Sequence, residues 1–70
     1  MTAKVVTVEA VRAFVAVVED SKGDYEIAHS FEDALHSMVL EAIAGGAPNP
    51  AELAAEALKT SDIEFRRYCA

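Results

Sequence analysis

Tyr25–Ala44, YEIAHSFEDALHSMVLEAIA, is the longest run of helical periodicity in the chain, and its reading decides the fold. Ile27, Phe31, Leu35, Met38 and Ala42 recur at spacings of four, four, three and four. That pattern stacks them along one side of a helix, with Ala28, Ala34 and Val39 widening the stripe. The spacing predicts one helix over 24–44, capped by Asp24, because Ile27 stays in phase with Phe31 and Leu35. A kink near His29 and Ser30 is the alternative, since Ser30-Phe31-Glu32-Asp33 resembles a capping box.

Outward from that rod, the other segments are short enough to pack onto it. Before it, Val8, Val11, Phe14, Val15 and Val18 follow helical spacing over 8–20, with Thr7 placed to cap the helix and Glu9 in its first turn. Gly23 suits a left-handed turn between the two helices. After it, Gly45-Gly46 and Pro48 stop the helix. Asn49-Pro50-Ala51-Glu52 then starts another, with asparagine at the cap, proline at the first helical position and an acid at the third. That helix covers 50–59, and its Leu53, Ala54, Ala57 and Leu58 form an apolar face. Ser61-Asp62-Ile63-Glu64 resembles a second capping box and predicts a short C-terminal helix over 62–69. The expected fold is an all-α bundle of three main helices, about 8–20, 24–44 and 50–59, plus that terminal turn, in one domain over 1–70.

Composition narrows the functions. The chain has 70 residues and is 53% hydrophobic, but fourteen of those residues are alanine, so bulky core side chains are few. A core of this size supplies roughly 3–5 kcal/mol at most, and small domains often add disulfides, metals or a second subunit. Cys69 is the only cysteine, so no intrachain disulfide forms, and a homodimer is one remaining supplement. The net charge of −6 repels a phosphate backbone, and direct nucleic-acid binding is not expected. No apolar run reaches the ~20 residues of a membrane helix. The expected location is the cytoplasm, with no membrane association.

The residues that could carry chemistry lie on the central rod. His29 and His36 stand seven apart on one face, with Asp33 between them and Glu26 and Glu32 alongside. Glu26-x-x-His29 and Asp33-x-x-His36 have the carboxylate-to-histidine spacing of bundle metal sites, so His29, Asp33 and His36 form a candidate transition-metal set. One helix offers only about three ligands, and no other helix brings a histidine. Exposed histidines beside helix acids are the simpler reading. Glu26, His29, Glu32, Asp33, His36 and Leu40 together make a candidate partner-binding face for a protein. Motifs for phosphate cradles, nucleophile elbows, CxxC pairs or HExxH are absent, and neither an enzyme nor a cofactor is expected.

The run AHSFEDALHSMVLEAIA over 28–44, followed by ALKTSDIEFRRYCA over 57–70, resembles small helical proteins encoded by bacteriophages and prophages. The resemblance implies a phage context, in which short accessory proteins act on a host or phage protein, including components of host defence. It transfers no functional residue. The expected function is therefore non-catalytic protein–protein interaction through an acidic helical surface. The alternatives are a metal-binding helical protein using His29, Asp33 and His36, and a structural oligomeric phage component.

Overall fold

A computed structural model describes residues 6–65, and they form an all-α bundle. Helix α1 spans Val8–Asp20, α2 spans Tyr25–Ala44 and α3 spans Pro50–Ala57, followed by a 3-10 turn over Leu58–Asp62. Each start has a chemical cause. Thr7 is extended, and its Oγ1 accepts from the Ala10 N–H at 3.0 Å, satisfying one of the donors a helix end leaves open. Asp24 does the same for the Ile27 N–H at 3.3 Å. Asn49 stands at the cap position of α3 but, unlike the expected asparagine cap, its side chain bonds no helix N–H; its amide donates to the Glu52 carboxylate at 3.3 Å, while Pro50 occupies the first helical position.

Helix α2 runs unbroken through His29 and Ser30. It ends in a Schellman motif, in which Gly46 N–H bonds to the Ile43 carbonyl and Ala47 N–H to the Ala42 carbonyl, each at 3.0 Å. Gly46 sits at φ +94°, and among the described residues it alone has a positive φ, so the left-handed position expected at Gly23 is not used. The turn from α1 to α2 closes through Asp24 N–H on the Ser21 carbonyl at 2.9 Å, without a left-handed residue.

The chain runs up, down and up. Val8 and Val11 of α1 meet Leu35 and Val39 of α2 and Leu53 and Ala57 of α3 in one buried cluster. At the other end, Val18, Ala28 and Ile63 form a second cluster. Phe14 and Val15 pack against both, which makes the two clusters one continuous core.

Two expectations need correction. The buried side of α2 is Ala28, Glu32, Leu35 and Val39, whereas Ile27 and Phe31 are 48% and 36% exposed. At 100° per residue the buried face is turned by roughly 70° from the Ile27–Phe31–Leu35–Met38–Ala42 stripe. Phe31 keeps one apolar partner, meeting the Phe14 ring edge-on at a centroid distance of 6.3 Å. At the C-terminal end, the capping box at Ser61 is not used. Ser61 Oγ and Thr60 Oγ1 instead donate back to the Leu58 and Ala57 carbonyls, at 2.6 and 3.1 Å, which tightens this stretch into a 3-10 turn. Ile63 is then extended and buried, so no helix starts at Asp62, and 66–69 lie outside the described residues.

Candidate interaction surface

The rotation of α2 divides the face expected to bind a partner. Glu32 is turned inward and only 7% exposed, so it belongs to the core side rather than to an acidic surface. No buried side-chain oxygen or nitrogen among the described residues lacks a hydrogen-bond partner. Glu26 and Asp33 remain exposed, His29 and His36 are half-buried, and Leu40 is 65% exposed.

The two histidines have different partners. His29 Nε2 lies 3.6 Å from the Asp33 carboxylate one turn on. His36 Nε2 lies 3.2 Å from Thr60 Oγ1, across the gap to the 3-10 turn. The Thr60 hydroxyl already donates its hydrogen to the Ala57 carbonyl. With its hydrogen so directed, the hydroxyl oxygen is placed to accept from His36 Nε2–H. Thr60 is fully buried, so this bond pins the turn to the middle of α2.

The candidate metal set does not come together. Seven helical residues separate the Cα atoms of His29 and His36 by roughly 10.5 Å, whereas zinc ligands sit about 2.0–2.1 Å from the ion. Asp33 serves His29 while His36 is directed at Thr60. Among the described residues no group of three His, Cys, Asp or Glu side chains is placed to hold a metal ion.

An apolar recess lies between α2 and α3. Leu40 and Leu58, the latter 63% exposed, are the two most exposed large hydrophobic side chains of the core-forming segments, and they share one groove between α2 and α3. The groove is an open recess of about 240 Å³; Val39, Ile43, Ala54 and Ala57 also line it, and His36 is its one polar lining residue. Leu58 was expected on the core face of α3; at 100° per residue it lies about 140° from the buried Leu53, and it points outward instead. A larger and less open concavity of about 750 Å³ lies on the opposite flank of α2, lined by Val6, Ala34, Met38, Glu41 and the Gly45–Pro48 turn.

A charge cluster that the sequence reading did not identify joins α1 to α3. The Arg12 guanidinium donates from Nε and from one terminal nitrogen to the two Glu56 oxygens, at 3.2 and 3.3 Å. Lys59 Nζ donates to both oxygens at 3.0 Å. The hydrogen bonds from Arg12 and then Lys59 hold the Glu56 carboxyl below its ordinary range, against the opposing effect of its burial. Glu56 in turn raises the Arg12 guanidinium. The i, i+3 spacing of Glu56 and Lys59 was legible; the contact with Arg12, 44 residues away, was not.

No helix among the described residues is long and apolar enough to cross a membrane. Comparison with protein-family models, curated proteins and solved structures finds no match.

Proposed function

We propose that this chain is a non-catalytic binding module that engages another protein through the α2–α3 groove. The observation that carries the proposal is the convergence of Leu40 and Leu58 on one apolar recess while the remaining core closes around Val11, Leu35 and Leu53. A monomer has no internal use for two leucines held in water at one site, and apolar recesses of this kind are where partner side chains gain most from leaving water. His36, bonded through Nε2 to Thr60, gives the recess a polar edge. Read with the resemblance to phage-encoded proteins, the partner is a host protein. The acidic face on α2 is retained as a flank of the site through Glu26 and Asp33, without Glu32.

The test is capture from host lysate by the tagged chain, with identification of the bound protein by mass spectrometry. Leu40→Gln with Leu58→Gln is expected to abolish capture while the far-ultraviolet circular dichroism of the chain stays unchanged, because both side chains are exposed. Capture that survives the double substitution overturns the assignment of the groove.

A further inference from the structure

Resting on that reading, we infer that the groove takes an amphipathic helix that is apolar at one end and basic at the other. The apolar requirement comes from the groove itself. Its α3 wall is Ala54 and Ala57, small residues that leave room for large incoming side chains between Leu40 and Leu58. A helix presenting apolar residues at i, i+3 and i+4 spacing fits such a slot between two helices.

The basic requirement comes from what lies farther along α2. On a helical wheel Asp33 and Glu26 fall within about 40° of Leu40, so all three share one edge. They lie roughly 10.5 and 21 Å from it along the axis, toward the helix N-terminus. Both are exposed, and α2 contains no lysine or arginine. The three lysines and arginines among the described residues are already engaged: Arg12 and Lys59 by Glu56, and Lys22 by Glu19. No lysine or arginine of the described chain is left over for this edge, where His29 Nε2 lies 3.6 Å from the Asp33 carboxylate. A helix lying along α2 with its apolar end in the groove therefore places its residues two and four turns on against two carboxylates. Lysine or arginine there is favoured, and acid is repelled.

The same charges argue against a second copy as the occupant. Two α2 edges brought together would set carboxylates against carboxylates, with no described lysine or arginine free to bridge them. The net charge of −6 on each copy adds to that repulsion.

The experiment is selection of a displayed library of about 20-residue sequences, long enough to span α2 as a helix, on the immobilised full chain. The expected consensus has two or three large apolar residues at helical spacing and, two turns away, lysine or arginine. The best peptide is then synthesised and measured by fluorescence anisotropy. Leu58→Gln is expected to weaken it at least tenfold, and Glu26→Lys with Asp33→Lys about tenfold, with affinity falling as salt rises. Enrichment of acidic or aperiodic sequences, an affinity indifferent to the lysine substitutions, or no enrichment at all overturns the inference. So does a dimer in sedimentation that Leu40→Gln dissociates, since the occupant is then another copy. If the leucine substitutions abolish lysate capture while the selection returns no basic helix, the binding surface stands and only the partner chemistry falls. If neither depends on the leucines, both fall.

Discussion

Replacing Val39 and Ile27 separately by alanine measures the rotational setting of α2 directly. The stripe read from spacing puts Ile27 in the core and Val39 at its margin. The structure reverses them, with Val39 3% and Ile27 48% exposed. Val39→Ala removes two buried carbons, about 1.6 kcal/mol of transfer free energy at ~0.8 per methylene, and the cavity left beside Val11 and Leu53 brings the loss to about 2 kcal/mol. Ile27→Ala deletes three carbons, worth about 2.4 kcal/mol if fully buried. At half exposure, with solvent filling the space, that falls to about 1.2 kcal/mol. Both changes replace a β-branched residue by alanine in a helix, so a gain of roughly 0.5 kcal/mol is common to the two and cancels. The smaller deletion therefore costs about 1 kcal/mol more than the larger one. Urea titration followed by circular dichroism resolves this. At a slope of about 1 kcal/mol per molar for so small a chain, the midpoints differ by about 1 M. A second pair uses enlargement: Ala28→Leu, at a fully buried position, is expected to cost about 1–3 kcal/mol, while Ala34→Leu, at an exposed one, stays within about 0.5 kcal/mol of wild type. An Ile27→Ala midpoint below that of Val39→Ala, with the two alanine enlargements equal, would refute the rotated face and the groove assignment that depends on it.

The other expectations concern the turns and the charge cluster. Gly46→Ala should cost about 1 kcal/mol through its positive φ alone, because the added Cβ meets nothing within 4 Å. Gly23→Ala, with open space and no positive φ, should be neutral or stabilising by up to about 1 kcal/mol in the same titration. Thr7→Ala should lower stability by about 1 kcal/mol through loss of the bond to Ala10 N–H, with the greatest loss of amide-exchange protection in the first turn of α1. The Glu56 carboxyl is held below its ordinary range by Arg12 and Lys59, so its contribution is complete above that range and is lost as pH falls through the depressed value. Wild type should therefore melt well above Glu56→Gln near pH 7 and approach it as the pH is lowered to about 3. A difference independent of pH would remove the ion cluster from the account of stability.

How much of this was legible follows from where the signals are local. Thr7, Asp24 and the Asn49-Pro50 pair mark helix starts because a cap is a bond over three residues, readable without knowing the fold. The α1 face was equally legible, since Val8, Val11 and Val18 follow helical spacing and are buried while Glu9, Arg12 and Glu19 stay exposed. Helix α2 lacks that contrast. Ile27 and Phe31 lie on one flank, Leu40 and Ile43 on the other, so the spacing of apolar residues alone admits more than one buried face. The choice falls to packing: Ala28 is fully buried beside Val18 and Ile63, and Thr60 draws His36 toward α3. Both are contacts with residues far along the chain. The C-terminal capping box failed for the converse reason, because hydroxyls that can cap a following helix can equally bond back to the preceding turn.

The exposed groove follows from the same geometry. At 1.5 Å per residue, α2 is about 30 Å long, while the eight residues of α3 reach about 12 Å. Two short partners cannot cover a long rod that is apolar on both flanks. Burying Leu35 and Val39 against α1 and α3 leaves the Leu40 edge without a neighbour, and the 3-10 turn adds Leu58 to that edge rather than covering it. Turning α2 back by 70° would bury Ile27 and Phe31 but expose Val39 and Ala28, and it would break the bond between His36 and Thr60. An apolar edge is therefore left in water whichever way the rod is turned. In the setting found here that edge lies beside small alanines and two carboxylates, an arrangement suited to receiving a helix from elsewhere.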